Sequence, residues 1–527
     1  MEYTMLSISS QFLKVFPAVL AAALVWPLLA LAQTGSVAIS VDLDSTLHRM
    51  RGGIGASWHA IEDSIPVSGN TSHGGSGWGA NPAPEDEAAW QAVYAHAGWL
   101  GLDFCRVELE QRMYEPEKGR FDWESREMRI LYRILDWCEK NQADVFLQQM
   151  WSNADWIAYP EFRGDPVKRV HSAPVSLEDF AQGLAALAGH LIQDKGYTCI
   201  KWLCINNEPG YDWSWWQMPP NETAPFTPAL ELVRETLDRK GISLPLSGPD
   251  WTDTPALTPE KLDFDRYLGA YDIHSYYSRY DWMKRDENRP DLPLSLVEQR
   301  LGDWAGWAHQ RNKPFFLSEV GSMIFGWHAD NNGPNTFPAA LKDAELVLRG
   351  LNQRVDGFNK WSFINRGDLD GQWQLINTWD IKGGKLLEKY SPKPNSYFVY
   401  GLVSRFTVKY SRVPVTTVKG GALEGLTRVF AAALESPGGE LTLLVVNDAD
   451  SAFPAGLSLN GLKKETTLYK YQVTSEQKDN PGLIIEPLNG INLNPELNAF
   501  SDELPASSLT IYTTYRLEHR DWGVIAE

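Results

Sequence analysis

Apolar and polar positions alternate with two different periods through most of the chain. Short apolar runs, typical of buried strands, precede longer stretches in which apolar residues recur every three to four positions, as on one face of a helix. The short runs predict strands at 52–57, 103–109, 144–150, 200–205, 242–248, 271–276, 313–318 and 357–364. The longer stretches predict helices at 84–100, 123–141, 176–192 and 227–240. Eight strands that alternate with helices predict a closed parallel barrel, the (β/α)8 or TIM barrel.

The pattern changes after residue 389, where a predicted helix at 397–406 is followed by short alternating runs. These runs lie at 415–418, 426–433, 441–446, 457–459, 467–473 and 509–515, with turns between them. Such a pattern predicts a C-terminal antiparallel β-sandwich. An early alternating strand at 36–43 has no helix partner, and we expect it to join the sandwich. The predicted domains are a signal peptide at 1–32, a catalytic barrel at 48–390, and a sandwich made of 33–47 and 391–527.

The N-terminus has the pattern of a targeting segment. Lys14 precedes an apolar run that ends in Ala30-Leu31-Ala32, a small-x-small cleavage pattern. The run is also long enough for a membrane anchor, but Pro17 and Pro27 make a spanning helix less favourable. We therefore expect a cleaved signal peptide, a secreted or periplasmic protein, and no stable membrane insertion after cleavage.

Composition narrows the classes of partner. The chain has 527 residues and a formal net charge of −19, which argues against nucleic acid or an anionic membrane surface. The charge fits a soluble protein that acts on an uncharged substrate. The four cysteines follow no metal-binding spacing, and we expect neither a metal nor a cofactor.

Two glutamates stand where predicted strands end. Glu208 lies in an Asn-Asn-Glu-Pro-Gly segment after the fourth strand, and Glu319 lies in a Ser-Glu-Val-Gly segment after the seventh. In barrel enzymes the catalytic groups sit at the carboxyl ends of the strands, so both acids can face one cavity. A pair of carboxylates facing one cavity is what glycoside hydrolysis requires.

Other polar and aromatic residues fall at the ends of the same strands. They are Arg106, Trp151, Asn207, His274, Tyr276 and Trp361. In this order, and with the two glutamates, they resemble the retaining glycoside hydrolases of clan A, which are barrel enzymes with acids on strands four and seven. The resemblance covers about residues 51–406, and the trailing sandwich resembles the accessory domain of families 30 and 39. Trp151-Ser152 followed by Trp156 is closer to family 30 than to family 5, which often has a histidine on strand three.

The resemblance implies a role for each of these residues. Glu208 is the expected acid/base, and Glu319 the expected nucleophile of a double displacement on a β-glycosidic bond. Arg106 is expected to keep Glu319 ionised and Tyr276 to orient it, while Asn207 hydrogen-bonds the 2-hydroxyl of the sugar. His274, Trp151 and Trp361 are expected at the substrate, with Trp361 as the floor of the sugar site. Further stacking surfaces are predicted at Trp78, Trp213, Trp215, Trp216 and Trp327.

Other interpretations remain open. Arg106 can anchor a structural ion pair, and His274 and Trp361 can be ordinary core residues. The chain as a whole can be a carbohydrate-binding barrel without catalytic activity, or a structural sandwich protein with an incidental barrel. The sequence does not indicate which sugar or linkage is bound, or whether cleavage is endo or exo.

Overall fold

The computed structural model describes residues 35–61, 79–209, 216–219, 222–223, 226–252, 264–278, 295–325, 332–367 and 371–517. The signal peptide predicted at 1–32 lies outside these residues. Within the described ranges no helix combines the length and the apolar character needed to cross a membrane.

Eight strands form a closed barrel. They are β1 (Ile54–His59), β2 (Phe104–Glu110), β3 (Asp144–Trp151), β4 (Ile200–Cys204), β5 (Leu246–Trp251), β6 (Leu268–Ser278), β7 (Phe315–Met323) and β8 (Gly357–Ile364). Each strand pairs in parallel with the next, and β8 closes the barrel by pairing with β1. The predicted (β/α)8 barrel is confirmed.

The strands form close to the predicted positions, except for the fifth. Strand β5 begins at Leu246, whereas the apolar pattern begins at Ile242. Ile242 and Leu244 are buried in the segment that leads into the strand. These two residues are apolar because they are buried, although they do not belong to the strand. The seventh strand runs on to Met323, because it continues to pair with β6 as far as Ser278.

Helices cover the outside of the barrel. They are α1 (Glu87–Leu100), α2 (Gln111–Tyr114), α3 (Arg126–Lys140), α4 (Pro166–His171), α5 (Leu177–Gly189), α6 (Phe226–Arg239), α7 (Leu296–Gln310), α8 (Phe337–Asn352) and α9 (Pro394–Arg405). Ser176 caps α5 as predicted, since its side chain accepts a hydrogen bond from the backbone N–H of Asp179. A π-helical turn, His190–Asp194, extends α5, and short 3-10 turns lie at Pro160–Phe162, Asp265–Tyr267, Gly333–Asn335 and Ser475–Gln477.

The interior of the barrel is filled at the amino-terminal ends of the strands. Phe104, Phe146 and Phe316 pack there with one another, and Trp202 lies against this cluster. Because aromatic rings close this end, polar side chains inside the barrel collect towards the carboxyl ends.

The second domain is a nine-stranded, mostly antiparallel sheet with its own hydrophobic core. In spatial order its strands are Gly490–Leu493, Thr466–Thr474, Ser508–Thr513, Leu441–Asn447, Val429–Glu435, Arg412–Gly420, Val37–Arg49, Phe453–Asn460 and Ala499–Leu504. The early strand Val37–Arg49 pairs antiparallel with Arg412–Gly420 and parallel with Phe453–Asn460. The expected barrel with a C-terminal β-domain is confirmed. Three small hairpins are Gln217–Met218 with Glu222–Thr223, Ile376–Asp380 with Lys385–Pro392, and Ala422–Leu423 with Leu426–Thr427.

Helix α9 packs on the barrel. The ring of Tyr397 stacks on Trp99 of α1 with 4.7 Å between centroids, and the Tyr400 hydroxyl donates to the backbone oxygen of Gly55 at 2.7 Å. The domain boundary predicted at residues 390 and 391 therefore falls ahead of a helix that covers the barrel. The apolar pattern of a helix indicates that one face is buried, but not which domain buries it.

Candidate active site

The predicted site residues meet at the carboxyl ends of the barrel strands. Arg106 lies on β2, His274 and Tyr276 on β6, and Glu319 on β7, while Glu208 follows β4. Since parallel strands end at one edge of the barrel, these side chains converge on its mouth.

Glu319 is held by two donors, one for each carboxylate oxygen. The guanidinium of Arg106 donates from Nη1 to Oε1 at 2.5 Å, and the Tyr276 hydroxyl donates to Oε2 at 2.5 Å. The side chain of Glu319 is only 5% exposed. Burial raises the pKa of Glu319, while the charges of His274 and Arg106 work in the opposite direction. A β-bulge between Leu317 and Glu319 sets this part of β7 against His274 of β6.

Glu208 lies in a left-handed backbone conformation in the loop after β4, with φ of 44°. Few non-glycine residues adopt this conformation, and here the backbone N–H of Glu208 donates to the backbone oxygen of Asp250 at 3.1 Å. The Oε1 atom lies 2.7 Å from Nδ1 of His274. The side chain is 16% exposed, so it is open to the barrel mouth.

The two glutamates lie across a short gap. One carboxylate oxygen of Glu208, one of Glu319 and a ring nitrogen of His274 all lie within 4.8 Å of one another. In retaining glycosidases the two carboxyl groups are about 5–5.5 Å apart, whereas inverting enzymes leave about 6.5–9.5 Å for a water molecule. The nearest oxygens of Glu208 and Glu319 therefore lie no more than 4.8 Å apart.

Arg106 is a fully buried cation with several anionic partners. Besides Glu319, it donates to Glu108 at 2.7 Å, to the Asn207 side-chain oxygen at 2.9 Å and to Asp250 at 3.3 Å. Burial alone would disfavour the charge, but Glu319, Asp250 and Glu108 outweigh it and raise the pKa of Arg106. The guanidinium is therefore a fixed positive charge beside Glu319.

His274 lies between three carboxylates. Its Nδ1 is 2.7 Å from Glu208 Oε1 and 3.3 Å from Glu319 Oε2, and its Nε2 is 3.1 Å from Asp250 Oδ1. Burial favours the neutral ring, but the charges of Glu319 and Asp250 outweigh it and raise the pKa of His274 well above its ordinary value.

The predicted aromatic residues divide into three groups. Trp361 lies beside Arg106, with its ring centroid 5.8 Å from the guanidinium carbon and its ring against His59, and it is 2% exposed within the main core. Trp151 is 2% exposed and packs in the main core, and its neighbour Met150 reaches Arg106. Trp216 is also 2% exposed and packs edge-on against Phe180 and Phe226, so its interpretation as a sugar-stacking residue is wrong. Trp78, Trp213, Trp215 and Trp327 lie outside the described residues.

Sequence reasoning missed several polar residues of the site. Asp250, at the end of β5, bonds both Arg106 and His274, and Gln148 donates to it at 3.2 Å. Glu108 pairs with Arg106 and also with His59. Glu108 is two residues after Arg106, so strand alternation alone places it on the same face. Asp250 gives a weaker signal, because Gly-Pro-Asp also describes an ordinary turn.

Among the residues that the structure describes, two sets of side chains are compact enough for a metal ion. They are Glu208 with His274 and Glu319, and Cys204 with Asp250 and Asp272. In the first set the ring nitrogen and the carboxylates hold one another by hydrogen bonds. In the second, Asp250 is bonded to Arg106 and Ser318, and Asp272 to Ser247 and the Asp250 backbone N–H. Most of these side chains therefore already have hydrogen-bond or ion-pair partners within the protein.

The fold is that of barrel glycoside hydrolases with an appended β-domain. No protein-family model and no curated protein matches the sequence.

Among solved structures, a GH30 endoxylanase from Clostridium papyrosolvens is 14% identical, with a TM-score of 0.56 over 90% of this chain and 99% of that one. A conserved exported protein from Bacteroides fragilis is 12% identical, with a TM-score of 0.61 over 90% of this chain and 100% of that one. A GH51 arabinofuranosidase from Xanthomonas axonopodis pv. citri is also 12% identical, with a TM-score of 0.54 over 91% and 99%. At the level of the fold, the resemblance to clan A is confirmed.

Proposed function

We propose that the protein is a secreted retaining glycoside hydrolase that cleaves β-glycosidic bonds in an oligo- or polysaccharide. The observation that supports this most directly is the pair of glutamates at the barrel mouth, with one oxygen of each within 4.8 Å. The fold shared with xylanases and an arabinofuranosidase agrees with a carbohydrate substrate.

The proposed reaction proceeds in two displacements. A carboxylate oxygen of Glu319 attacks the anomeric carbon, the bond to the leaving oxygen breaks, and Glu208 donates its proton to that oxygen. Water then attacks the anomeric carbon of the glycosyl-enzyme. Glu208 takes a proton from this water, and Glu319 leaves as the carboxylate. Configuration is retained, and both glutamates return to their starting states.

The surroundings of the two acids suit these roles. Arg106 and Tyr276 each donate to Glu319, which favours its ionised, nucleophilic form. Glu208 is the more exposed of the two and lies against His274, in reach of a leaving group that enters from the mouth. The Asn207 side-chain oxygen accepts from Arg106, and we assign this residue the hydrogen bond to the sugar 2-hydroxyl.

The test is a pair of charge-removing substitutions, Glu319→Gln and Glu208→Gln, assayed on aryl β-glycosides and a panel of polysaccharides. We expect Glu319→Gln to abolish turnover. Glu208→Gln should reduce the rate of hydrolysis most for substrates with poor leaving groups. Azide should restore part of the activity, because this anion can attack the glycosyl-enzyme in place of water without a base to remove a proton. Glu127→Gln on α3, a buried carboxyl paired with Arg112 away from the two acids, is the matched control.

Hydrolysis that survives both site substitutions would refute the assignment of the glutamates. Sugar binding without hydrolysis by the unaltered protein would instead favour the non-catalytic barrel. Secretion has a separate test, because cleavage after Ala32 would leave a mature chain that begins at Gln33. A mature protein that retains its first 32 residues would contradict the signal peptide.

A further inference from the structure

Asp250 occupies a central position beneath both glutamates. It is completely buried at the end of β5. Its Oδ1 lies 3.1 Å from His274 Nε2 and accepts from the Ser318 hydroxyl at 2.9 Å. Its Oδ2 accepts from Arg106 at 3.3 Å and from Gln148 at 3.2 Å. Three side chains, Ser318, Arg106 and Gln148, donate to these two oxygens. Burial raises the pKa of Asp250, but the charges of His274 and Arg106 outweigh it and lower the pKa, so the side chain is a carboxylate.

The backbone of Asp250 reaches the other acid. Its carbonyl oxygen accepts the N–H of Glu208 at 3.1 Å, the bond that accompanies the left-handed backbone at Glu208. One residue therefore touches the loop that carries Glu208 and, through Arg106, the side chain of Glu319.

His274 has acceptors on both sides of its ring. Glu208, which follows β4, and Glu319 on β7 face Nδ1, while Asp250 on β5 faces Nε2. Asp272, which shares strand β6 with His274, accepts hydrogen bonds from the Ser247 hydroxyl and from the Asp250 backbone N–H. A neutral imidazole has one N–H and can donate to one side only, whereas an imidazolium donates to both. The Asp250 carboxylate is thus the counter-ion that a doubly donating His274 requires.

We propose that Asp250 is a positioning residue that acts through His274 and Arg106 to align Glu208 and Glu319. Its anion keeps His274 charged, so that Nδ1 donates towards both glutamates at once. The kinetic part of this inference rests on the proposed hydrolase function, whereas the state of His274 does not.

The first test measures His274 directly. In protein with 15N-labelled histidine, the ring nitrogens are followed through a pH titration, and the His274 signal is assigned by its loss in His274→Gln. We expect a doubly protonated ring at pH 7 in the wild type, and loss of that proton at clearly lower pH in Asp250→Asn. A neutral His274 at pH 7 in the wild type overturns the proposal, even if Asp250→Asn does not fold. An unchanged titration in Asp250→Asn overturns it as well.

The control is Asp272→Asn, the same substitution at the carboxyl group that accepts the backbone N–H of Asp250. Burial, together with the charge of Asp250, raises the pKa of Asp272 to about 8. This side chain is therefore largely uncharged at pH 7, and its replacement removes little charge from the network. We expect the His274 titration in Asp272→Asn to stay close to that of the wild type. A shift as large as that of Asp250→Asn would show that any change in this layer disturbs the ring, and would refute a specific role for Asp250.

The second test separates positioning from mere support of the fold. For aryl glycosides with poor leaving groups, we expect Asp250→Asn to lower kcat/KM by about 10²-fold, the lower range of general acid–base effects. With activated leaving groups, which need less proton donation, the loss should be smaller. The basic limb of the pH profile should also move, because ionisation of Glu208, the proposed proton donor, depends on the charge of His274 beside it. Equal losses for all leaving groups with an unshifted profile would contradict the proposal. If the wild type hydrolyses no glycoside, the hydrolase function fails, and the titration still decides the role of Asp250.

Discussion

Replacement of Tyr276 by phenylalanine removes the hydroxyl that donates to the proposed nucleophile. The Tyr276 hydroxyl donates to Glu319 Oε2 at 2.5 Å, and its ring packs edge-on against Trp373 with centroids 5.5 Å apart. Phenylalanine preserves the ring and its packing, so no cavity of consequence is created. The change therefore isolates the hydrogen bond to the proposed nucleophile.

The size of the effect follows from the charge of the acceptor. A hydrogen bond to an ionised group contributes about 1.5–3 kcal/mol, and each ~1.36 kcal/mol is tenfold in rate, so the expected loss is about 10- to 150-fold. The loss should fall mainly on the second displacement, where Glu319 leaves the sugar as a carboxylate. A carboxylate accepts a stronger hydrogen bond than the ester it replaces.

The hydroxyl also influences the ionisation of Glu319. Its hydrogen bond lowers the pKa of this carboxyl against the raising effect of burial. Without the bond the pKa rises, and the ionised nucleophile is present only at higher pH. We therefore expect the acid limb of the pH profile of kcat/KM to move to higher pH.

Steady-state and burst kinetics on activated aryl glycosides measure both effects. With such substrates, breakdown of the glycosyl-enzyme limits turnover, so kcat should fall more than kcat/KM and KM should fall with it. Mass spectrometry should then show more of the covalent intermediate. A Tyr276→Phe enzyme with wild-type kcat and an unshifted acid limb would refute the assignment of Tyr276 as the donor to the nucleophile.

Three further outcomes are expected. In Gly321→Ala the new Cβ would lie 2.8 Å from Tyr276 Cε1, so the tyrosine ring must move. In the same kinetic assay, turnover should fall about tenfold. The double variant Gly321→Ala/Tyr276→Phe should be only slightly slower than Tyr276→Phe alone, because both changes disturb the same hydrogen bond. Burial lowers the pKa of His96 to about 4, so the unfolded chain binds the proton more tightly than the folded protein does. Between pH 7.5 and pH 5 this difference should lower the free energy of unfolding by about 2 kcal/mol. Denaturant titrations of His96→Phe at the two pH values should show a decrease that is smaller by this amount. Asp448→Asn removes the carboxylate that lies 2.8 Å from Lys342, between the two domains. The free energy of unfolding should drop by about 1–3 kcal/mol, which is less than the ~3–5 kcal/mol lost when a fully buried ion pair is broken. An unchanged Tm would contradict this expectation.

The two glutamates could be predicted because barrel strands have a strong local signal. Each strand is a short apolar run. Glu208 follows such a run where the chain leaves the sheet, and Glu319 interrupts one within β7. The partners of Glu319 lie on other strands of the same closed barrel, whose curvature brings Arg106 and Tyr276 towards it.

Other features depend on tertiary packing that no local pattern reports. Asp250 was missed because the fifth strand begins four residues later than its apolar pattern, so its end was misplaced. Trp216 follows Glu208 in a segment that looks like an open loop, yet Phe180 of α5 and Phe226 of α6 enclose it. In both cases the decisive neighbours are distant in the sequence.

The position of the strand Val37–Arg49 in the nine-stranded sheet has a consequence for biosynthesis. During translation this strand leaves the ribosome before the barrel, but its two neighbours, Arg412–Gly420 and Phe453–Asn460, emerge only after the whole barrel. An exposed apolar strand must therefore wait unpaired, a situation that invites misassociation and the help of a chaperone. A recombinant fragment that starts after the barrel would lack this strand, and its sheet would be split into pieces of six and two strands.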